Sequence, residues 1–480
     1  MAEISIKRAA IINFIAKYST IFIQLIYNGI LSRILVPEDF GIVAVVNVFV
    51  TFFMLFGDMG IGSAVVQNKT LTEKETNNIF SFTVYLGLVL AAIFALFSIP
   101  MSWFYNDQVY IPIGLLLSVS LFFNTLNMIP NAVLLKNKRF RTVGIRLVLV
   151  TIISSILTII LAINGLKYYS IVFNSIFISF FTFLWNYNST RLKFSFKINK
   201  GSIQKIKEFS QYQFGFNFIN YFARNADNLL IGKILGNRAL GFYDKSYRTM
   251  LYPVVNLTNV ITPVLHPILS EHQNDKEYIY SQYIKVVRIL SLLGAFFSAY
   301  LFITAKEVIV ILYGEKWIGA VTSFQFLALA VWAQMISSSS GAIFQSLGKT
   351  KLLFINGLFT STITVSAIII GISFHSINAV AAFVAIAYNS HFFITFYNLI
   401  KNGFGYKLWQ FYKIFIPHLL IFVITFIGLY FVSMYRIDNV FLSAVYKGVF
   451  GVIFFVISLL LTKQQDAFSI LRRRKKVKSS

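Results

Sequence analysis

The chain has 480 residues, of which 57% are hydrophobic and only 12% charged. A soluble protein needs a charged surface, so this composition excludes one and makes lipid the solvent for most of the outside. Cysteine is absent, which removes disulfide, thiolate and cysteine–metal chemistry, and the net charge is +25.

In chain order, apolar runs fall at 9–32, 40–64, 77–101, 110–135, 143–164, 168–187, 209–235, 243–268, 285–312, 320–346, 352–373, 377–400, 412–433 and 440–462. Each is near the roughly 20 residues that span a bilayer as helix. They are too long for barrel strands and lack period-2 alternation. The predicted fold is therefore an all-α integral membrane protein of about fourteen transmembrane helices. The first run lacks a small-residue cleavage site, so it reads as a retained anchor.

Fourteen spans put both termini on one side, and the basic residues agree. Lys7, Arg8, Lys69, Lys74, the 136–141 cluster, the 191–207 cluster, Lys276, Lys285, Arg288, Lys349, Lys351, Lys401, Lys407, Lys413, Lys463 and the RRRKKVK tail all fall there, about 29 positive charges in total. The opposite side has far fewer. This predicts cytoplasmic termini and explains the net charge as a collar beside anionic lipid, with no need of nucleic acid. The longest polar stretch joins the sixth and seventh runs and reads as a linker. The expected organisation is an N-terminal lobe over 1–190, a basic linker over 191–208, a C-terminal lobe over 209–402, and two further helices with a basic tail over 403–480.

A shift of 200 lays 14–41 over 214–241 and matches Phe14 with Phe214, Phe22 with Phe222, Asn28 with Asn228, Ile34 with Ile234, Leu35 with Leu235 and Gly41 with Gly241. Both segments carry a polar stripe at three- and four-residue steps: Lys17, Thr20, Gln24 and Tyr27/Asn28 in one, Asn217, Asn220, Arg224 and Asp227/Asn228 in the other. Two parallel six-helix lobes around a central hydrophilic cavity are predicted. Polar groups this deep face a bundle interior, and the basic ones outnumber the acidic ones, so the expected cargo is an anion. Arg146 and Asp58 add to the intramembrane charges. Plainer readings stand beside these. Arg224 and Asp227 also suit a neutralising pair. Lys17, Arg146 and Lys447 also suit snorkelling toward headgroups. Asp58, beside two glycines, also suits a helix cap.

The motifs SRILVPEDFGIVAV (32–45), GDMGIGSAVVQ (57–67), RNADNLLIGKILGNRALGFYDKSYR (224–248), PVVNLTNVITPVLHPILSEHQND (253–275) and ILYGEKWIGA (311–320) resemble those of Wzx-type polysaccharide-export flippases. These belong to the multidrug/oligosaccharidyl-lipid/polysaccharide exporter superfamily, and the branch resembled moves colanic or teichuronic acid repeat units. The resemblance covers nearly the whole chain. It implies turnover of an undecaprenyl-diphosphate-linked oligosaccharide across the bacterial inner membrane by alternating access, driven by a proton or sodium gradient or the membrane potential. It implies no cofactor or metal, and it implies work alongside polysaccharide polymerase machinery. By the same resemblance Arg224 and Lys17 hold the diphosphate; Arg146 joins them on charge alone. Asn217, Asn220, Asn228 and Gln24 suit sugar hydroxyls, and Asp227 and Asp58 suit ion coupling or a structural ion pair.

Two other exporters share the predicted topology: a multidrug antiporter, which calls for more cavity carboxylates, and a peptidoglycan-precursor flippase. A membrane polymerase or ligase calls for a large external loop, and a glycosyltransferase for a D-x-D in a soluble domain. The sequence has neither, nor an HExxH, GxSxG or Walker loop.

Overall fold

A computed structural model describes residues 6–58, 60–68, 70–196, 201, 221, 225–270, 272, 273 and 275–466. Among the described residues every regular element is helical, as the bilayer demands, because a helix satisfies its own backbone N–H and C=O groups. The chain divides into two compact units, Met1–Gly241 and Phe242–Ser480.

The first unit holds α1 (Ile6–Ile34), α2 (Pro37–Asp58), α3 (Ile61–Gln67), α4 (Glu73–Tyr105), α5 (Tyr110–Lys136), α6 (Phe140–Ile163) and α7 (Tyr168–Thr190). It also holds α8 over 225–234 and the first turn of α9 (Asn237–Ser270). Helix α5 is its hub, packing on α2, α3, α4 and α7, while α1 lies on α6. The start of α4 is set by a capping box. Thr72 Oγ1 accepts the Glu75 backbone N–H at 3.2 Å, and Glu75 Oε2 accepts that of Thr72 at 2.9 Å. Beyond α7 the chain runs extended along α4. Lys193 donates its backbone N–H to Asn77 Oδ1 (3.0 Å), and Ser195 donates its own to Ser81 Oγ (2.9 Å).

The run 40–64 does not continue as one helix. Helix α2 ends at Asp58, Gly60 takes a left-handed φ of 72°, and α3 starts at Ile61. Glycine adopts that φ at no steric cost. Asp58 is thus the last residue of a helix and not an interior one. Near their starts α2 and α9 cross at two glycines. A Cβ added to Gly41 would overlap the carbonyl oxygen of Asn237, and one added to Gly241 would overlap that of Pro37. The contact is reciprocal at the same 200-residue offset as the repeat.

The second unit continues with α10 (Lys276–Ile303), α11 (Ala305–Tyr313), a 3₁₀ turn (Glu315–Ala320), α12 (Val321–Ala328), α13 (Val331–Ser337), α14 (Ser340–Ser346), α15 (Thr350–Ser373) and α16 (Ile377–Phe396). A π-helical turn (Tyr397–Phe404) leads to α17 (Leu408–Tyr412), α18 (Phe415–Met434) and α19 (Val440–Leu461). Here α10 is central, against α12, α13 and α18. The run 320–346 is broken, with Glu315–Ala328 and Val331–Ser346 inclined by 54°. Around the second break Ser338, Ser339 and Ser340 donate their hydroxyls to carbonyls three residues back, at 2.8, 2.7 and 2.7 Å. Such back-bonding competes with the helix ladder and bends it.

Among the described residues eleven helices are long and apolar enough to cross a membrane, or twelve if the bent pair is one span. Two of the fourteen expected spans, 209–235 and 243–268, are not among them. Helix α9 occupies the place of the run 243–268 but is not among those that pass, and most of 209–235 lies outside the described residues.

Lys447 does not snorkel. It is 9% exposed and pairs with Glu307 of α11, which is 7% exposed, while Ser443 Oγ donates to the same Glu307 Oε1 at 2.8 Å. The pair fastens α19 to α11. Breaking a buried ion pair from one side leaves a bare charge in low dielectric and costs about 3–5 kcal/mol, whereas neutralising both partners costs far less. Lys447→Met alone is expected to lower the thermal unfolding temperature of the purified protein, and Glu307→Gln with Lys447→Met to restore most of the loss. Equal losses in the single and double variants would show that the pair contributes no net coupling.

Candidate functional site

In the first unit the polar groups gather on one side of α5. Asn124, Asn127 and Asn131 recur at three- and four-residue steps along it, so they share a face. Arg146 of α6 is buried at 8% exposure and turns toward them. Its Nη1 donates to Asn131 Oδ1 at 3.0 Å and to Asn186 Oδ1 of α7 at 2.7 Å. Asn186 Nδ2 donates in turn to Asn127 Oδ1 at 2.7 Å. Arg146 therefore points inward to amides and not outward to headgroups. Among the described residues no carboxylate pairs with it. Amides satisfy hydrogen bonds without cancelling charge, so a net positive charge is held inside this unit.

The α1 stripe is not uniformly presented. Lys17 and Gln24 are exposed, but Thr20 is buried and donates its hydroxyl to the Ala16 carbonyl at 2.8 Å. The Gln24 carbonyl accepts from Asn28 Nδ2 at 2.8 Å. Asp227 is 7% exposed and accepts the Asn228 backbone N–H at 2.9 Å, while the Asn228 side chain is half-buried. Arg224, Asn217 and Asn220 lie outside the described residues. Asp58 is exposed, accepts from the Gly62 backbone, and forms no ion pair among the described residues. With Ser63, Gln67 and Asn131 it lines a groove of about 430 Å³.

In the second unit a charged cluster stands on the first turns of α9, at Asp244, Lys245 and Arg248. Both Asp244 oxygens accept from Arg248 Nε, at 2.9 and 2.7 Å. The Asp244 side chain is 11% exposed and that of Arg248 is 61% exposed. No hydrogen-bond partner is recorded for the terminal Arg248 nitrogens among the described residues. Lys245 is 4% exposed, with its ammonium over the rings of Tyr313 (4.7 Å) and Trp317 (5.5 Å). Thr249 Oγ1 and Tyr313 Oη lie 2.9 Å apart and close the cluster.

Asn127, Asn131 and Asn186 stand outside the polar stripes that the sequence predicts, which lie on the first and seventh runs. YDKSYR lies within one of the resembling motifs, yet spacing alone assigns Asp244, Lys245 and Arg248 no role. The signals were present: an asparagine ladder at helical spacing, and an Asp and Arg four apart on one helix. Arg146→Met is expected to leave two amide oxygens without their donor, which costs about 1–3 kcal/mol. A lowered unfolding temperature in detergent checks this, and an unchanged one would show that the network carries no stability.

The family model described as polysaccharide biosynthesis protein matches residues 30–322. The chain is 25% identical to an "Uncharacterized membrane protein in cps region" of Klebsiella pneumoniae, over 71% of this chain and 73% of that one. It is 21% identical to the teichuronic acid biosynthesis protein TuaB of Bacillus subtilis (strain 168), over 69% of each. Among solved structures, its fold matches that of the lipid II flippase MurJ in an inward closed conformation. There the TM-score is 0.73 at 16% identity, over 96% of this chain and 100% of that one.

Proposed function

The chain belongs to the polysaccharide biosynthesis protein family, and from that premise we propose that it is a flippase for a polyprenyl-diphosphate-linked oligosaccharide, not an enzyme. It moves the repeat unit from the cytoplasmic to the outer leaflet of a bacterial inner membrane by alternating access, for cell-surface polysaccharide. Both termini are cytoplasmic, an ion gradient or the membrane potential supplies the drive, and polymerase machinery takes up the product.

The observation that carries this reading is Arg248. Its Nε is fixed by Asp244, while among the described residues its outer nitrogens have no hydrogen-bond partner on a 61% exposed side chain. A guanidinium held from behind in this way offers a planar pair of donors to phosphate oxygens. A diphosphate carries about two negative charges, and crossing hydrocarbon with them bare is prohibitive. Arg146, with amide partners alone, adds positive charge in the first unit. Lys17 and Arg224 remain the further diphosphate candidates by motif, and Gln24, Asn217, Asn220 and Asn228 the further sugar candidates. Asp227 remains the candidate for ion coupling. A relative named for teichuronic acid biosynthesis and a fold neighbour named as a lipid II flippase support the cargo class. No bond is broken; the head group crosses while the prenyl tail stays in lipid.

In proteoliposomes, wild-type protein is expected to turn over a polyprenyl-diphosphate-linked oligosaccharide. Arg248→Ala should abolish this and Arg248→Lys should keep a fraction, because a point charge replaces the planar fork. Normal turnover by a folded Arg248→Ala variant would move the anion site elsewhere. A wild type that moves no lipid-linked sugar would end the flippase reading.

A further inference from the structure

The groove beside the α2–α3 break is a second site of different character. Helix α3 is amphipathic over its short length. Ile61, Ala64 and Val65 are buried in a cluster with Ile129 and Ala132 of α5. The opposite side presents Ser63 and Gln67, Asp58 at the end of α2 lies with them in the lining, all three are exposed, and Asn131 of α5 completes the polar lining. Val66 and Met128 supply an apolar floor. The volume of about 430 Å³ lies in the range of small-molecule sites.

The chemistry of the lining selects the ligand. Asp58 is a carboxylate without a cationic partner among the described residues, so it repels a phosphate and accepts hydrogen bonds from hydroxyls. Gln67 and Ser63 both donate and accept. Asn131 has its oxygen occupied by Arg146 at 3.0 Å, which leaves its amide nitrogen as the end available to a ligand. A neutral, polyhydroxylated molecule with one apolar face meets all of these demands. We infer that this groove is a sugar-binding subsite, which holds hexose units of the lipid-linked cargo through Asp58, Gln67 and the amide of Asn131. The assignment rests on the flippase reading and names residues for the glycan beside those proposed for the diphosphate.

The test is a pair of dissociation constants measured on purified full-length protein. One ligand is a prenyl diphosphate without sugar; the other is the same prenyl diphosphate carrying a tetrasaccharide of neutral hexoses. In wild type the sugar is expected to tighten binding about tenfold or more, since a site built on hydroxyl contacts discriminates strongly. Asp58→Asn, nearly isosteric on an exposed position, should bring that ratio toward one. So should Gly62→Leu, which fills the groove: a Cβ at Gly62 meets nothing closer than Asp58 Oδ1 at 3.8 Å, so the helix accepts it. Arg248→Ala should weaken both ligands and keep the ratio.

A ratio preserved in both groove variants overturns the inference, as does a wild-type ratio of one. A preserved ratio with an altered sodium dependence in Asp58→Asn would make the groove a cation site and overturns it too. Wild-type protein that binds neither lipid removes the flippase reading itself, and the subsite with it.

Discussion

A polar group taken out of water in a bilayer must find its partner inside the protein, and the interior of this chain is arranged around that demand. Backbone groups meet it by forming helices. Side chains meet it in three ways. Glu307 and Lys447 neutralise each other. Arg146 is hydrogen-bonded by amides that leave its charge standing. Arg248 is held at one end by Asp244 and left open at the other. The first arrangement serves cohesion. The second keeps positive charge where hydrocarbon would otherwise forbid it, because amides do not cancel it; the third sets a carboxylate against the charge and keeps the outer guanidinium donors for a further partner.

This distinction separates neutralised from standing charge more sharply than position in a helix does. Lys447 and Arg146 look alike in the sequence, each a lone basic residue in an apolar helix. Their partners differ: a carboxylate for one, asparagines for the other. A carboxylate removes the field of the cation, whereas an asparagine amide only orients it. An anionic cargo would feel Arg146 and hardly feel Lys447.

Much of the fold was legible because a spanning helix writes itself as a long apolar run, and most of the described helices lie on such runs. The breaks were not legible. The 54° bend within 320–346 falls at Leu329 and Ala330, where no breaking residue stands, and the later break lies at serine hydroxyls bonding backward along the chain. The end of α2 rests on a single left-handed glycine in a segment with several glycines. The Glu307–Lys447 pair joins residues 140 positions apart, a distance that periodicity cannot bridge. Of the candidate site, Arg146 was named from charge. Its asparagine partners were passed over because neutral residues in an apolar helix carry no energetic alarm until they are seen to converge. Arg224, Asn217 and Asn220, which anchored the sequence reading, lie outside the described residues.

The reciprocal crossing of α2 and α9 has a consequence for how the chain is made. Gly41 and Gly241 stand 200 positions apart (241 minus 41) yet each receives the other helix's first carbonyl. At a synthesis rate of roughly 5–20 residues per second, about 10–40 s pass between the two glycines. During that interval α3 to α7 are made while the start of α2 keeps an uncovered notch. The first unit reaches completion only when residue 241 arrives, from a helix whose remainder belongs to the second. A chain ended after its seventh helix would lack a piece of its own wall.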